Sequence, residues 1–129
     1  MSNYSSLIES FALVNNLSPT NIIDYEEVVV DDLAIGIKCD GNEETGDVLL
    51  YSTLGIPNKN KKYNIDRLLL EANNLGVGTG GCVLGRQENT GAVTIYTRLP
   101  IQLTHSQSLT NTLEAFYNMA NLWKKEIIN

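Results

Sequence analysis

The sequence predicts one domain mixing helices with an antiparallel sheet, in the order α-β-β-β-α-β-β-α. Three observations carry this expectation. Apolar residues recur at helical spacing at both ends of the chain, short β-branched or alternating runs bounded by turn residues fill the middle, and a further helical run interrupts those strands after Tyr63. A chain of 129 residues lies within the usual size of a single domain and can bury roughly two thirds of the surface it exposes unfolded. The expected domain therefore spans residues 1–129.

The first helix is predicted over about residues 4–15, where Tyr4, Leu7, Phe11 and Val14 share one face with Ile8 beside them. Ser6 and Glu9 have capping-box spacing for a late start, and Asn15-Asn16 followed by Ser18-Pro19 is read as its stop. Three strands follow: Val28–Val30, the alternating run Leu33–Cys39, and Val48–Leu54. Asp31-Asp32 and the stretch from Asp40 to Gly46 provide the hairpin turns of an antiparallel meander. The acid pairs Glu26-Glu27 and Asp31-Asp32 are read as exposed turn charges, because neighbours on a strand point to opposite faces. A second helix is signalled by Asn64 as N-cap, with Tyr63 before it placed to staple Leu68, and by Ile65, Leu68, Leu69, Ala72 and Leu75 at helical spacing up to Gly76. Two strands, near Gly81–Gln87 and Ala92–Leu99, then turn at Glu88-Asn89-Thr90-Gly91. In the last helix Leu109, Leu113, Phe116, Ala120, Trp123 and Ile127 recur at steps of four and three, Thr104 and Gln107 have capping-box spacing, and Lys124-Lys125 suit the negative end of the dipole.

Composition excludes several classes of function. No apolar run approaches the ~20 residues needed to span a bilayer, so a soluble protein without membrane insertion is expected. The opening Met1-Ser2-Asn3-Tyr4 has no basic residue before its first apolar positions, so no secretory signal is expected. Cys39 and Cys82 lie in strand-like apolar segments and are read as two buried thiols, with a disulfide between them as the alternative their spacing leaves open. With His105 as the single histidine and no Cys-x-x-Cys, neither a metal site nor any cofactor is expected. No carboxylate is positioned by sequence to orient His105, and Thr104 and Ser106 beside it have capping work, so no nucleophile constellation is predicted. The net charge is −6, and nine acids between Asp24 and Asp47 against Lys38 alone leave the remainder of the chain positive by two. A field of that sign repels phosphate backbones, which argues against nucleic acid as a partner.

One motif invites an enzymatic reading. Gly76-Val77-Gly78-Thr79-Gly80-Gly81 carries the spacing G-x-G-x-x-G. A dinucleotide loop needs a strand before it and a helix after it, so that the helix N-terminus faces the pyrophosphate. The predicted order is the reverse. The loop is therefore expected to stop a helix and turn into a strand, with a small-ligand protein or enzyme using Gly76–Gly81 kept as the alternative.

The segment from Leu68 through Glu71-Ala72-Asn73-Asn74-Leu75-Gly76 to Thr79-Gly80-Gly81, then Tyr96-Thr97-Arg98-Leu99-Pro100, then a helix bearing Leu113, Phe116, Ala120 and Trp123, resembles the CesT-like (Tir chaperone) effector chaperones of type III secretion. The opening Leu7-Ile8-Glu9-Ser10-Phe11-Ala12 is similar to that family's first helix. The resemblance implies an α+β fold with a twisted antiparallel sheet, a homodimer built by the second helix and its following strand, and a bacterial cytoplasmic location. It implies binding of an extended, N-terminal chaperone-binding segment of a secreted effector, keeping it soluble and competent for secretion, and the secretion ATPase as a candidate further partner. No catalysis is implied. Leu69, Leu75 and Val77 are expected near the two-fold axis, because the second helix is apolar over more of its circumference than one sheet contact requires. The effector surface is expected on Leu13 and Leu17, which lie off the main stripe of the first helix, and on Leu33, Ile35, Ile37, Leu49 and Tyr51 of the meander. An exposed sheet edge there can accept an added strand. The end at Ile127-Ile128-Asn129 departs from longer family members, so no tail-mediated function is expected. A dimeric adaptor unrelated to secretion is the third reading.

Overall fold

The computed structural model describes residues 1–128. Helix α1 (Asn3–Val14) is followed by α2 (Pro19–Tyr25), then β1 (Glu27–Val30), β2 (Leu33–Asp40) and β3 (Asp47–Gly55). Helix α3 (Ile65–Asn73) runs into a 3₁₀ turn at Asn74–Gly76; β4 (Val83–Arg86), β5 (Val93–Pro100), a 3₁₀ turn at Ile101–Leu103 and α4 (Ser106–Ile128) complete the chain. The strands form one antiparallel sheet in the order β1-β2-β3-β5-β4. The meander is continued by β5, and β4 lies outside it as the second edge.

Five local expectations are corrected. Ser18-Pro19 starts a helix: the Ser18 hydroxyl accepts from the Asn21 N–H at 3.3 Å, and Pro19 takes the first helical position, where its missing N–H costs nothing. The cap of α1 is Ser2, accepting from the Ser5 N–H at 3.0 Å, and not Ser6. At α4 the reciprocal pair is His105 with Ser108. The His105 N–H donates to Ser108 Oγ (3.0 Å) and the Ser108 N–H to His105 Nδ1 (3.4 Å), while Thr104 turns back to Pro100 O and Gln107 bonds Asn111. Helix α3 ends at Asn73, short of Leu75, which adopts a left-handed φ of 57°. Both cysteines are free, with Cys82 buried and Cys39 only half-buried, in place of the two buried thiols expected.

The chain divides into two compact units, Met1–Leu50 with Arg98–Tyr117, and Tyr51–Thr97 with the residues from Asn118 onward. In the first, α1 buries Tyr4, Leu7, Ile8, Phe11 and Ala12, and α4 contributes Leu109, Leu113 and Phe116. The strands add Val28, Leu33, Ile35, Ile37, Val48 and Leu50. The acidic turn between β2 and β3 is held to the start of α1, where the Tyr4 N–H donates to Glu43 O at 3.0 Å and Ser2 Oγ to the Glu43 carboxylate at 2.7 Å. Arg98 of β5 pairs with Asp40 and lies 4.0 Å from Asp47. In the second unit, Leu69 and Ala72 of α3, Leu84 of β4, Val93 and Ile95 of β5, and Ala120, Trp123 and Ile127 of α4 are buried. The predicted α4 stripe is buried along its whole length, as helical periodicity requires.

Candidate functional site

The strand alternation decides which apolar residues a partner can reach. Along β2, Leu33, Ile35 and Ile37 do share one face, but it is the inward one: they are 7%, 0% and 0% exposed. These three positions are core, a correction to their expected place on the partner surface. A period of two says that residues share a face without saying which face is covered. Leu49 and Tyr51 of β3 lie on the opposite parity from buried Val48, Leu50 and Ser52 and are half-buried. Leu13 is 68% exposed and Leu17 40%.

Around those two residues the first unit exposes further apolar side chains that the sequence reading missed: Val14 on α1, Ile23 and Tyr25 on α2, and Val29 on β1. Helix α2 packs against both α1 and β1, so these elements follow one another across the surface. The missed signal was α2 itself. Once Ser18-Pro19 is read as a helix start, Ile22 falls inward and Ile23 and Tyr25 outward.

Strand β1 is a sheet edge. Its register pairs Val28 with Ile35 and Val30 with Leu33, and the Ile37 N–H donates to Glu26 O at 3.0 Å. In an antiparallel ladder hydrogen-bonded pairs alternate, so the even-numbered residues of β1 bond to β2 while Glu27 and Val29 turn their N–H and C=O groups outward. Five carboxylates flank this edge: Asp24, Glu26, Glu27, Asp31 and Asp32. The Tyr117 hydroxyl hydrogen-bonds Asp31, which raises the tyrosine pKa above its ordinary value. A strand edge inside such a field favours an extended segment carrying basic residues.

The second unit presents a different surface. Leu75 is 90% exposed and Val77 82%, with Leu70, Val83 and Leu122 also exposed. Leu69, by contrast, is buried at 4% exposure; it belongs to the core under α3, which corrects its expected place at a subunit contact.

The glycine loop follows a helix and leads into a strand. Its amides are turned inward: Val77 donates to Asn74 O, Gly78 to Ala72 O, Thr79 and Gly81 to Gly76 O, and Cys82 to Thr79 O. The Thr79 side chain is wholly buried and bonds Cys82 O at 2.5 Å, and Trp123 Nε1–H reaches Gly78 O at 3.2 Å. Most of the amides that would cradle a phosphate in a nucleotide loop are thus already bonded within the chain. A Cβ on Gly78 would stand 3.0 Å from Ala72 Cα and 3.2 Å from Ala72 O. Gly78→Ala is expected to cost about 1–3 kcal/mol by overpacking, read as a lower Tm, and neither the variant nor the wild type is expected to bind ATP or NAD. Submillimolar binding of either nucleotide in calorimetry would contradict this reading of the loop.

An open cleft of about 540 Å³ in the first unit is lined by Asn3, Ser6, Ser10, Thr104, His105 and Ser106 with Leu7 and Ile101. It is lined by no Asp, Glu, Lys or Arg side chain. No group of His, Cys, Asp and Glu among the described residues is placed to hold a metal ion, and no helix among them is long and apolar enough to cross a membrane. Burial pushes the Cys82 thiol pKa up, and burial together with Glu43, Asp40 and Asp47 raises that of Cys39. Both shifts disfavour the reactive thiolate.

Comparison with known proteins places this architecture. A chain of the HopA1-SchA chaperone-effector complex superposes with a TM-score of 0.76 at 20% identity, over 95% of this chain and 94% of that one. The ExsC-ExsE complex gives 0.72 at 19%, over 96% and 92%. The Yersinia pestis type III secretion chaperone SycH in complex with a stable fragment of YscM2 gives 0.69 at 19%, over 92% and 98%. These likenesses establish the fold. No curated protein sequence matches the chain. The family model of the Tir chaperone proteins (CesT) matches residues 40–124, about two thirds of the sequence, and takes in β3, α3, the glycine loop, β4, β5 and most of α4; the chain belongs to the Tir chaperone protein (CesT) family.

Proposed function

We propose that this chain, as a single chaperone domain over residues 1–129, is a cytoplasmic chaperone for an effector of a type III secretion system, acting as a homodimer and catalysing no reaction. The observation that carries the proposal is the family match together with what the first unit leaves uncovered: exposed apolar residues on α1, α2 and β1 beside an open, acid-flanked sheet edge. The effector's chaperone-binding segment lies there in extended form, bonding to the outward backbone groups of Glu27 and Val29 and covering Leu13, Leu17 and their exposed neighbours. Leu49 and Tyr51, half-exposed on β3, are second-rank members of the same surface. Held this way, the segment stays soluble and unfolded until delivery. The homodimer forms through the second unit, with Leu75 and Val77 at the contact. The glycine loop has the structural role of joining α3 to β4.

The test is co-purification from the native cell followed by mass spectrometry. The wild type is expected to bring down a secreted effector and Leu17→Asp to lose it, with a Tm almost unchanged because surface substitutions shift stability by only ~0.5 kcal/mol. A folded, constitutive partner with no link to secretion would contradict the proposal. So would undiminished effector capture by Asp variants at Leu13, Leu17 and Val29 alike.

A further inference from the structure

The two edges of the sheet are not equivalent. Strand β4 is four residues long, and its register pairs Val83 with Tyr96, Leu84 with Ile95, Gly85 with Thr94 and Arg86 with Val93. The Gln87 N–H donates to Ala92 O at 2.8 Å, continuing that register. By the same alternation as in β1, Val83 and Gly85 bond to β5, while Leu84 and Arg86 turn their backbone groups to the free side. An uncovered row of this kind is a template for any passing strand.

On β4 the Leu84 position of that row is occupied from within the chain. Asn73, the last residue of α3, spans Leu84 with both ends of its carboxamide: the Leu84 N–H donates to Asn73 Oδ1 at 2.8 Å, and Asn73 Nδ2 donates to Leu84 O at 2.7 Å. A carboxamide offers an acceptor oxygen beside a donor NH2 group, which are the kinds of group a neighbouring strand would present. At the other outward position, the Arg86 side chain folds back onto Gly91 O (2.7 Å) and Asp66 of α3 (2.7 Å). Among the described residues, the outward backbone groups of Glu27 and Val29 on β1 have no such partner.

We propose that Asn73 acts as a one-residue strand mimic that closes the β4 edge, so that β1 is the edge at which this sheet accepts an added strand. The closure of β4 does not depend on the chaperone reading, and its test needs no effector. Only the identity of the strand taken by β1 rests on that reading.

Amide exchange by NMR on the full chain reads the closure directly. In the wild type the Leu84 amide is expected to exchange at least about tenfold more slowly than the Val29 amide, although both lie on edge strands. Asn73→Ala is expected to speed Leu84 exchange by about tenfold while the Val83 and Gly85 amides, bonded to β5, keep their protection. The variant is also expected to form concentration-dependent species larger than the wild type in sedimentation velocity. Unchanged Leu84 exchange in a folded Asn73→Ala variant, or an unchanged size distribution, overturns the proposal. If Asn73→Ala does not fold, the wild type decides alone: a protected Leu84 amide supports the closure, and one exchanging as fast as Val29 overturns it.

Discussion

Replacing Leu75 and Val77 together by Asp is expected to turn the proposed homodimer into a folded monomer. The two side chains are 90% and 82% exposed on the isolated chain. Leu75 also holds a left-handed φ of 57°, a conformation that costs a residue with a Cβ roughly 1–2 kcal/mol. In the proposed dimer this outward apolar side chain is buried by association. Burying a residue of this kind contributes about 1.5–3 kcal/mol, and a two-fold interface counts each change twice. The dissociation constant should therefore rise at least about a thousandfold, enough to show as a monomer in sedimentation equilibrium at micromolar concentration. Asp tolerates the left-handed region better than Leu, so the monomer's far-UV spectrum should be retained. A dimer of unchanged affinity would place the subunit contact elsewhere on the chain.

Gly46→Ala is expected to have the largest effect of any single methyl addition. Its Cβ would stand 2.5 Å from Asp40 O, 2.6 Å from Asn42 O and 2.9 Å from Asn42 N, all of them backbone atoms that no rotamer change can move aside. Opening the turn to admit it would break the bond from the Gly46 N–H to Asn42 O (2.7 Å) and that from the Ile101 N–H to Gly46 O (3.0 Å). It would also loosen the contacts of Glu43 and Glu44 with the first residues of α1. The expected loss is about 3 kcal/mol, or roughly ten degrees in Tm. Gly81→Ala is the control. Gly81 has a φ of +87° but nothing within 4 Å of an added Cβ, so only the conformational cost of about 1–2 kcal/mol remains. Equal losses in the two variants by thermal or urea unfolding would show that contact at Gly46 is not what constrains the turn.

Effector binding and self-association thus fall to separate units in this reading. The acidic residues suit this division because they gather about β1 and the β2–β3 turn, both in the first unit. Around Leu75 and Val77 the chain carries no charged residue from Ala72 to Gly85, which suits a contact between identical copies, since like charges would face each other across the two-fold.

Read alone, the sequence determined most of the fold. The step of four and three from Leu109 to Ile127 marked α4, the alternation from Leu33 to Cys39 marked β2, and Asn64 marked the start of α3. Each of these is a local pattern whose period is set by backbone geometry. The direction of the glycine loop was legible for the same reason, since a helix before it and a strand after it are both local. The combination of motifs from Leu68 to Trp123 was specific enough to indicate the family.

Tertiary structure alone decided what the covered and uncovered faces are. Leu33, Ile35 and Ile37 are as apolar as Leu13 and Leu75, and nothing in their spacing tells that the former are buried and the latter left bare. The short helix α2 escaped notice because Ser-Pro ends one element as readily as it begins another. The pairing of Asn73 with Leu84, eleven residues apart, was beyond reach for a similar reason: a carboxamide at a helix end reads as an exposed cap until sheet order makes β4 an edge and turns the backbone of Leu84 toward it. Burial and edge position are properties of the assembled layers, and no local period encodes them.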